Sequence, residues 1–192
     1  MTDLSHIFQV LDSYLPLGTA LKRHLSQALA LKKYAKGRLL LRPGQRPAEA
    51  WFISEGAARG YILDEAKGEE VTTWFWLEGE VMVALDSFCR QAPATFYLEL
   101  LEDSKLHSLS FQETEFTANT FSSFRQLERA IVEDYLLRIS RHYFERSSLP
   151  ARARFEKLMA ARPGLFHVAP VKAIASYLGM FPDTLSRLRG AK

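Results

Sequence analysis

Between Phe121 and Arg146 the chain has neither glycine nor proline, although the whole protein carries 10 glycines and 8 prolines. Apolar residues recur there at helical spacing in two sets. Phe124, Leu127, Ile131 and Tyr135 form one stripe; Val132, Leu136, Ile139 and Tyr143 form another. A helix of this length runs roughly 37 Å. Two stripes on one long helix fit burial on two sides: the chain's own body, and the same helix of a second subunit. One wide stripe on one core is the alternative. The pattern favours a homodimer joined through residues 121–147.

Ahead of this helix the period changes. Residues 16–33 read as a helix, with Leu17, Leu21, Leu25 and Leu29 in phase. From about Leu31 to Ser110 the chain breaks into short runs rich in aromatic and β-branched residues. They include Arg38–Leu41, Trp51–Ile53, Gly60–Leu63, Val71–Leu77, Phe96–Leu101 and Lys105–Leu109, separated by turn residues such as Pro43-Gly44 and Glu55-Gly56. That pattern predicts an antiparallel sandwich or barrel. The fold class is therefore α+β.

Behind the long helix, Ser147-Ser148-Leu149-Pro150 reads as a hinge, because the residue before proline is pushed out of helical geometry. The composition then turns basic. Residues 151–192 hold eight Lys or Arg against Glu156 and Asp183, a net of +6, whereas the rest of the chain is mildly acidic. A basic tail on a mildly acidic body fits a polyanionic partner and, on charge alone, equally a solvated basic face. Within the tail, Val171–Arg189 reads as two short helices around Gly179. Ile174 and Leu178 face Leu185 and Leu188; Ala175 is small where the helices cross; Pro182 suits a first helical turn. This is a helix-turn-helix. Its second helix turns Asp183, Thr184, Ser186, Arg187 and Arg189 outward. Arginine can pair with guanine in the major groove, and hydroxyls can hold phosphate oxygens. Lys172 and Lys192 add cations to the candidate DNA-binding set.

The stretch Ile174–Arg189 resembles the helix-turn-helix of the CRP/FNR family, in particular its short Bacteroidetes-type members. Trp51–Gly56 followed by Arg59-Gly60-Tyr61, and Leu41–Gly44 before them, are similar to that family's cyclic-nucleotide-binding β-roll, and Leu98–Ser110 to a later strand pair. The likeness runs from about residue 15 to 192. It implies an N-terminal antiparallel β-roll (jelly-roll-like, flanked by helices) over 1–120, a dimerisation helix over 121–147 and a helix-turn-helix domain over 148–192. It further implies a cytoplasmic transcription regulator that binds a roughly palindromic double-stranded DNA site, with RNA polymerase as a further partner and a small-molecule effector in the roll. Asp183 and Arg187 match base-reading positions, and Thr184 a phosphate contact.

The sequence departs from the family at three places. Cyclic-AMP binders grip the phosphate with an arginine and neighbouring N–H groups. Here Gly79-Glu80 is present, but the arginine position falls on Arg90 or on Ala94, according to the end from which it is counted. The candidate ligand contacts are thus Gly79, Glu80, Arg90 and Thr95, and cyclic AMP in the usual mode is not expected, since its charge-assisted grip is lost. The chain given ends at Lys192, where the family continues into a β-hairpin wing. Phe181 stands where the family has a capping serine or threonine, and Pro182 where others have a base-reading side chain. A small-molecule-binding roll with a non-functional DNA-binding domain is the alternative these departures raise.

Other chemistry finds little support. The single cysteine, Cys89, cannot form an internal disulfide, fits a reducing compartment, and reads as a small apolar filler. The five histidines are scattered, without metal-site spacing, and no nucleophile-elbow or phosphate-loop motif occurs, so neither an enzyme nor a resident metal or cofactor is expected. The N-terminus lacks the basic-then-apolar order of a secretion signal. No run reaches the roughly 18 apolar residues of a membrane helix, so no membrane partner is expected.

Overall fold

The computed structural model describes residues 4–190. Two helices open the chain, α1 (Ser5–Tyr14) and α2 (Thr19–Ala28). Eight strands follow: β1 (Ala30–Tyr34), β2 (Leu39–Leu41), β3 (Glu49–Glu55), β4 (Ala58–Asp64), β5 (Glu69–Trp76), β6 (Val81–Met82), β7 (Tyr97–Leu100) and β8 (Ser104–Ser110), with the short helix α3 (Leu85–Phe88) between β6 and β7. Then come α4 (Phe111–Thr120), the long α5 (Ser122–Ser148), α6 (Ala151–Ala161), α7 (Leu165–Val168), α8 (Val171–Leu178) and α9 (Pro182–Gly190).

The strands form two antiparallel sheets, ordered β1-β8-β3-β6 and β2-β7-β4-β5. Alternation along β3 decides what each face packs against, because successive side chains point to opposite faces of a strand. Trp51 and Ile53 enter the core shared with Leu98 and Leu100 of β7, Leu41 of β2 and Leu106 of β8. Phe52, between them, joins Ile7, Leu11, Leu21 and Leu25 of the first two helices and Leu127 of α5. One sheet thus separates two apolar layers. Gly56, at the β3–β4 turn, has a φ of 111° and no room for a side chain: a Cβ there would lie 2.2 Å from Ser104 Oγ.

The sequence-based strands are all present, each within a few residues of its expected ends. The expected helix over 16–33 is corrected. It ends at Ala28, and Ala30–Tyr34 instead pairs residue by residue with Ser104–Ser108 of β8. Leu29 continues the helical phase, but a ladder to a strand some 70 residues away, invisible in the local pattern, takes the backbone. Cys89 is also corrected. It caps the carboxyl end of α3 and is exposed, too close to the surface to serve as core filler.

Helix α5 has the two faces its stripes predict. Phe124, Leu127 and Tyr135 are buried, while Val132, Leu136, Ile139 and Tyr143 are exposed, Leu136 by 62%. Tyr135 fixes the helix to the roll: its hydroxyl accepts from Trp76 Nε1 and donates to the Val81 carbonyl. Helix α5 ends where the hinge is expected, with Leu149 extended before Pro150.

Leu127 is only 1% exposed between the first two helices and the sheet. Leu127→Ala is expected to lower stability by about 2–5 kcal/mol in urea denaturation, from lost transfer energy and the cavity left behind.

Candidate nucleic-acid interface

The C-terminal helices are built around the α8–α9 turn. Gly179 is left-handed at φ 65°, and its N–H and that of Met180 satisfy the last carbonyls of α8 at Ala175 and Ser176. Ile174, Ala175 and Leu185 are fully buried where the two helices cross, with Leu178 beside them. Phe155 and Leu158 of α6 and Leu165 of α7 complete this core. The Arg154 guanidinium donates to the carbonyls of Leu149 and Gly179, joining the hinge to the turn.

Helix α9 packs one face and leaves the other bare. Asp183, Ser186, Arg187 and Arg189 are exposed, and Thr184 is half-buried. Among the described residues no side-chain hydrogen bond or ion pair engages Asp183 or Arg187. Arg189 lies over the Phe166 ring at 5.7 Å, toward α7. Lys172 is on α8, 3.8 Å from Glu69 of β5. The seven sequence-predicted DNA contacts therefore divide: five share α9, Lys172 stands apart, and Lys192 lies outside the described residues.

The helix-turn-helix is docked on the roll. Strand β5 is an edge strand, and α8 runs along it. Ser176 Oγ accepts the Thr72 N–H at 3.0 Å, and Arg162, just after α6, donates to the Phe75 carbonyl at 3.1 Å. Tyr177 meets Phe75 and Trp74 edge-on and stacks flat on His142 of α5 at 4.0 Å. Burial pushes the Tyr177 phenol up to about 12. Burial, and secondarily Arg146, pushes His142 down.

Glu80 is at the centre of this junction. Its carboxylate pairs with Arg138 of α5 at 2.9 Å and with Arg162, just after α6, at 2.6 Å, and also accepts the Leu77 N–H. Of the predicted ligand contacts, Gly79 and Glu80 lie in the β5–β6 turn; Glu80 faces the C-terminal helices, whereas Gly79 lies beside His6 of α1. Arg90 follows α3 and is exposed; Thr95 is exposed and donates to Asp86. No hydrogen bond or ion pair joins Glu80 to Arg90 or Thr95. Ala94, the other arginine-position candidate, is buried, its backbone bonded to Gly44 and Gln45. A cleft of about 710 Å³ opens beside Glu80, lined by Arg141, Arg146 and Lys157 among others. Sequence reasoning missed Arg138, His142, Arg162, Ser176 and Tyr177. Arg162 entered only as charge, and nothing local marks the others as junction residues.

The arrangement of two four-stranded sheets, a long helix and a terminal helix-turn-helix recurs in solved structures. FixK2 from Bradyrhizobium japonicum superposes with a TM-score of 0.72, at 17% identity over 85% of this chain and 83% of that one. A transcriptional regulator of the CRP/FNR family from Eubacterium rectale gives 0.71, at 15% identity over 92% and 85%. The chain has the CRP/FNR fold. The c-di-GMP-responsive global regulator CLP of Xanthomonas campestris is a further similar structure, at TM-score 0.66 and 12% identity, with 91% of each chain covered. No family model and no curated protein matches the sequence. Among the described residues no helix is long and apolar enough to cross a membrane, and no group of His, Cys, Asp and Glu could hold a metal ion.

His142 and His107 both have a pKa held below the ordinary 6.5, His107 by burial alone. The unfolded chain takes up these protons more readily than the folded one. Their contribution to stability is therefore complete above about pH 6.5 and is lost as the pH falls. Urea denaturation is expected to give a lower stability near pH 5 than near pH 7. His142→Gln should flatten that slope; an unchanged slope would mean that burial does not hold His142 neutral in the folded chain.

Proposed function

We propose that the protein is a sequence-specific DNA-binding transcription regulator that acts as a homodimer. The observation that carries this is α9: a helix packed by Leu185 on one side, with Asp183, Ser186, Arg187 and Arg189 outward and, among the described residues, no carboxylate or carbonyl partner on the first three. Arg187 would pair with guanine and Asp183 would accept from cytosine N4. Thr184, Ser186 and Arg189 would hold phosphates, with Lys172 and Lys192 contributing charge. The basic composition of residues 151–192 supports a polyanionic partner.

The exposed stripe of α5 supports the dimer. Val132, Leu136, Ile139 and Tyr143 follow a 4-3-4 spacing, the seam of a coiled coil. Two-fold pairing through residues 121–147 would set two α9 helices against half-sites about 34 Å apart, and hence a roughly palindromic operator. On this reading residues 1–120 form the sensor and 148–192 the DNA-binding domain. An effector would act by shifting the balance between DNA-competent and incompetent dimers. CLP, with the same fold, is c-di-GMP-responsive. The scattered positions of Glu80, Arg90 and Thr95 argue against cyclic AMP held in the usual mode. RNA polymerase is the natural further partner of such a regulator.

Selection from a random pool of duplex DNA at several salt concentrations tests this. The wild type is expected to enrich a palindromic motif with salt-sensitive affinity. Arg187→Ala should weaken binding by about 1–3 kcal/mol and relax one position in each half-site. Failure of the wild type to enrich any motif, with and without cell extract as a source of effector, would overturn the proposal. For the dimer, the double variant Leu136→Glu, Ile139→Glu should sediment as a folded monomer and lose the motif. A variant that remains dimeric would move the interface away from α5.

A further inference from the structure

Phe181 is 81% exposed, the most exposed of the large apolar side chains among the described residues. It sits at the amino end of α9, immediately before the outward residues. Its carbonyl accepts the first helical bond, from the Leu185 N–H at 3.2 Å, which makes it the N-cap residue. The fold gains nothing evident from a phenylalanine there. Its side chain cannot accept the free N–H groups of the first turn, a service for which serine is worth about 1 kcal/mol. The apolar contact at this corner is made instead by Met180, which packs on the core. Nor does any ring contact or cation reach the Phe181 ring among the described residues. Pro182 next to it is also exposed, and its ring carries no N–H or other polar group. The leading end of α9 is thus an uncovered apolar tip, set directly before Asp183 and Arg187 in the most basic part of the chain.

Resting on the DNA-reading proposal above, we infer that Phe181 is a specificity-determining side chain that reads thymine through its 5-methyl group. A helix-turn-helix presents the amino end of its second helix to base edges. The thymine methyl is the apolar feature of the major groove, and phenylalanine is among the side chains that contact it. The phenyl ring occupies the end that enters first, beside the two residues assigned to polar readout. A thymine next to the base pairs read by Asp183 and Arg187 therefore gives Phe181 its cover. Water leaves both the ring and the methyl group on binding, and discrimination follows from one buried methyl.

Three linked measurements test this. DNA selection with the wild type and with Phe181→Ser should give the same palindromic motif, except for one thymine per half-site that only the wild type prefers. In the wild-type site, deoxyuridine is then placed at that thymine, which removes the methyl group and nothing else. The wild type should bind about four-fold more weakly per methyl removed. Phe181→Ser should bind both sites equally. Thermal unfolding of Phe181→Ser should be no lower than that of the wild type, since serine restores a cap and the ring is not part of the core. Equal discrimination by both proteins, or none by the wild type, would overturn the assignment and leave the DNA-reading proposal standing. Absence of any wild-type motif would overturn both.

Discussion

The open edge of β5 organises everything beyond the roll. In the order β2-β7-β4-β5 this strand has a neighbour on one side only. An unpaired edge exposes N–H and C=O groups and invites association with other chains. Here the C-terminal helices cover it. Ser176 takes the Thr72 N–H and Arg162 donates to the Phe75 carbonyl, so an α-helix and a guanidinium stand in for a ninth strand. The edge needs covering and the helix-turn-helix has the groups to cover it, which fixes the place of α8 and, through Gly179, that of α9. The apolar core follows the same path: Phe75 and Trp74 of β5 belong to one cluster with Tyr177, Ile174 and Leu185.

Glu80 adds a second tie of a different kind. It pairs with Arg138 of the long helix and Arg162 of the C-terminal helices, all three side chains about one-fifth exposed. Removing one partner of a half-buried ionic cluster leaves uncompensated charge, so such a cluster responds more sharply to disturbance than a surface pair does. Glu80 lies one residue from Gly79, in the turn where the family resemblance places ligand contacts. A small change in that turn would therefore be felt in α5 and at the end of α6 together. The β5–β6 turn, α5 and the C-terminal helices thus share one charge network.

What was legible in the sequence divides along this line. The helix-turn-helix was legible because its determinants are local: Gly179 for the left-handed turn, Ala175 for the close approach, and Ile174, Leu178 and Leu185 at helical spacing. The two faces of α5 were legible because a Gly- and Pro-free run preserves its period. The strand that replaced the end of the predicted helix was not, since β1 exists through pairing with β8 and buries little of its own. The junction was not legible either. Ser176 is an ordinary polar residue on a helix until Thr72, 104 residues away, is placed beside it. His142 looks solvated until Tyr177 covers its ring. Local chemistry writes turns, caps and stripes into the sequence; docking between elements leaves no such mark.

The docked geometry also constrains how control can operate in the proposed dimer. Contact with the roll is made by α8, Arg162 and Tyr177, not by the outward face of α9, whose Asp183, Ser186 and Arg187 stay exposed. Docking therefore leaves the outward face of α9 uncovered. What docking does set is the position of α9 relative to α5, because Arg138 and His142 of α5 and Arg162 and Tyr177 of the C-terminal helices are held against one another. In a two-fold dimer paired along α5, that position fixes the distance and angle between the two reading helices, and only one spacing matches successive major grooves on one side of the duplex. A change at the Glu80 cluster or the His142–Tyr177 stack would act on DNA affinity through that spacing. Both half-sites would remain individually readable, and the difference between active and inactive states would lie in whether they can be read together.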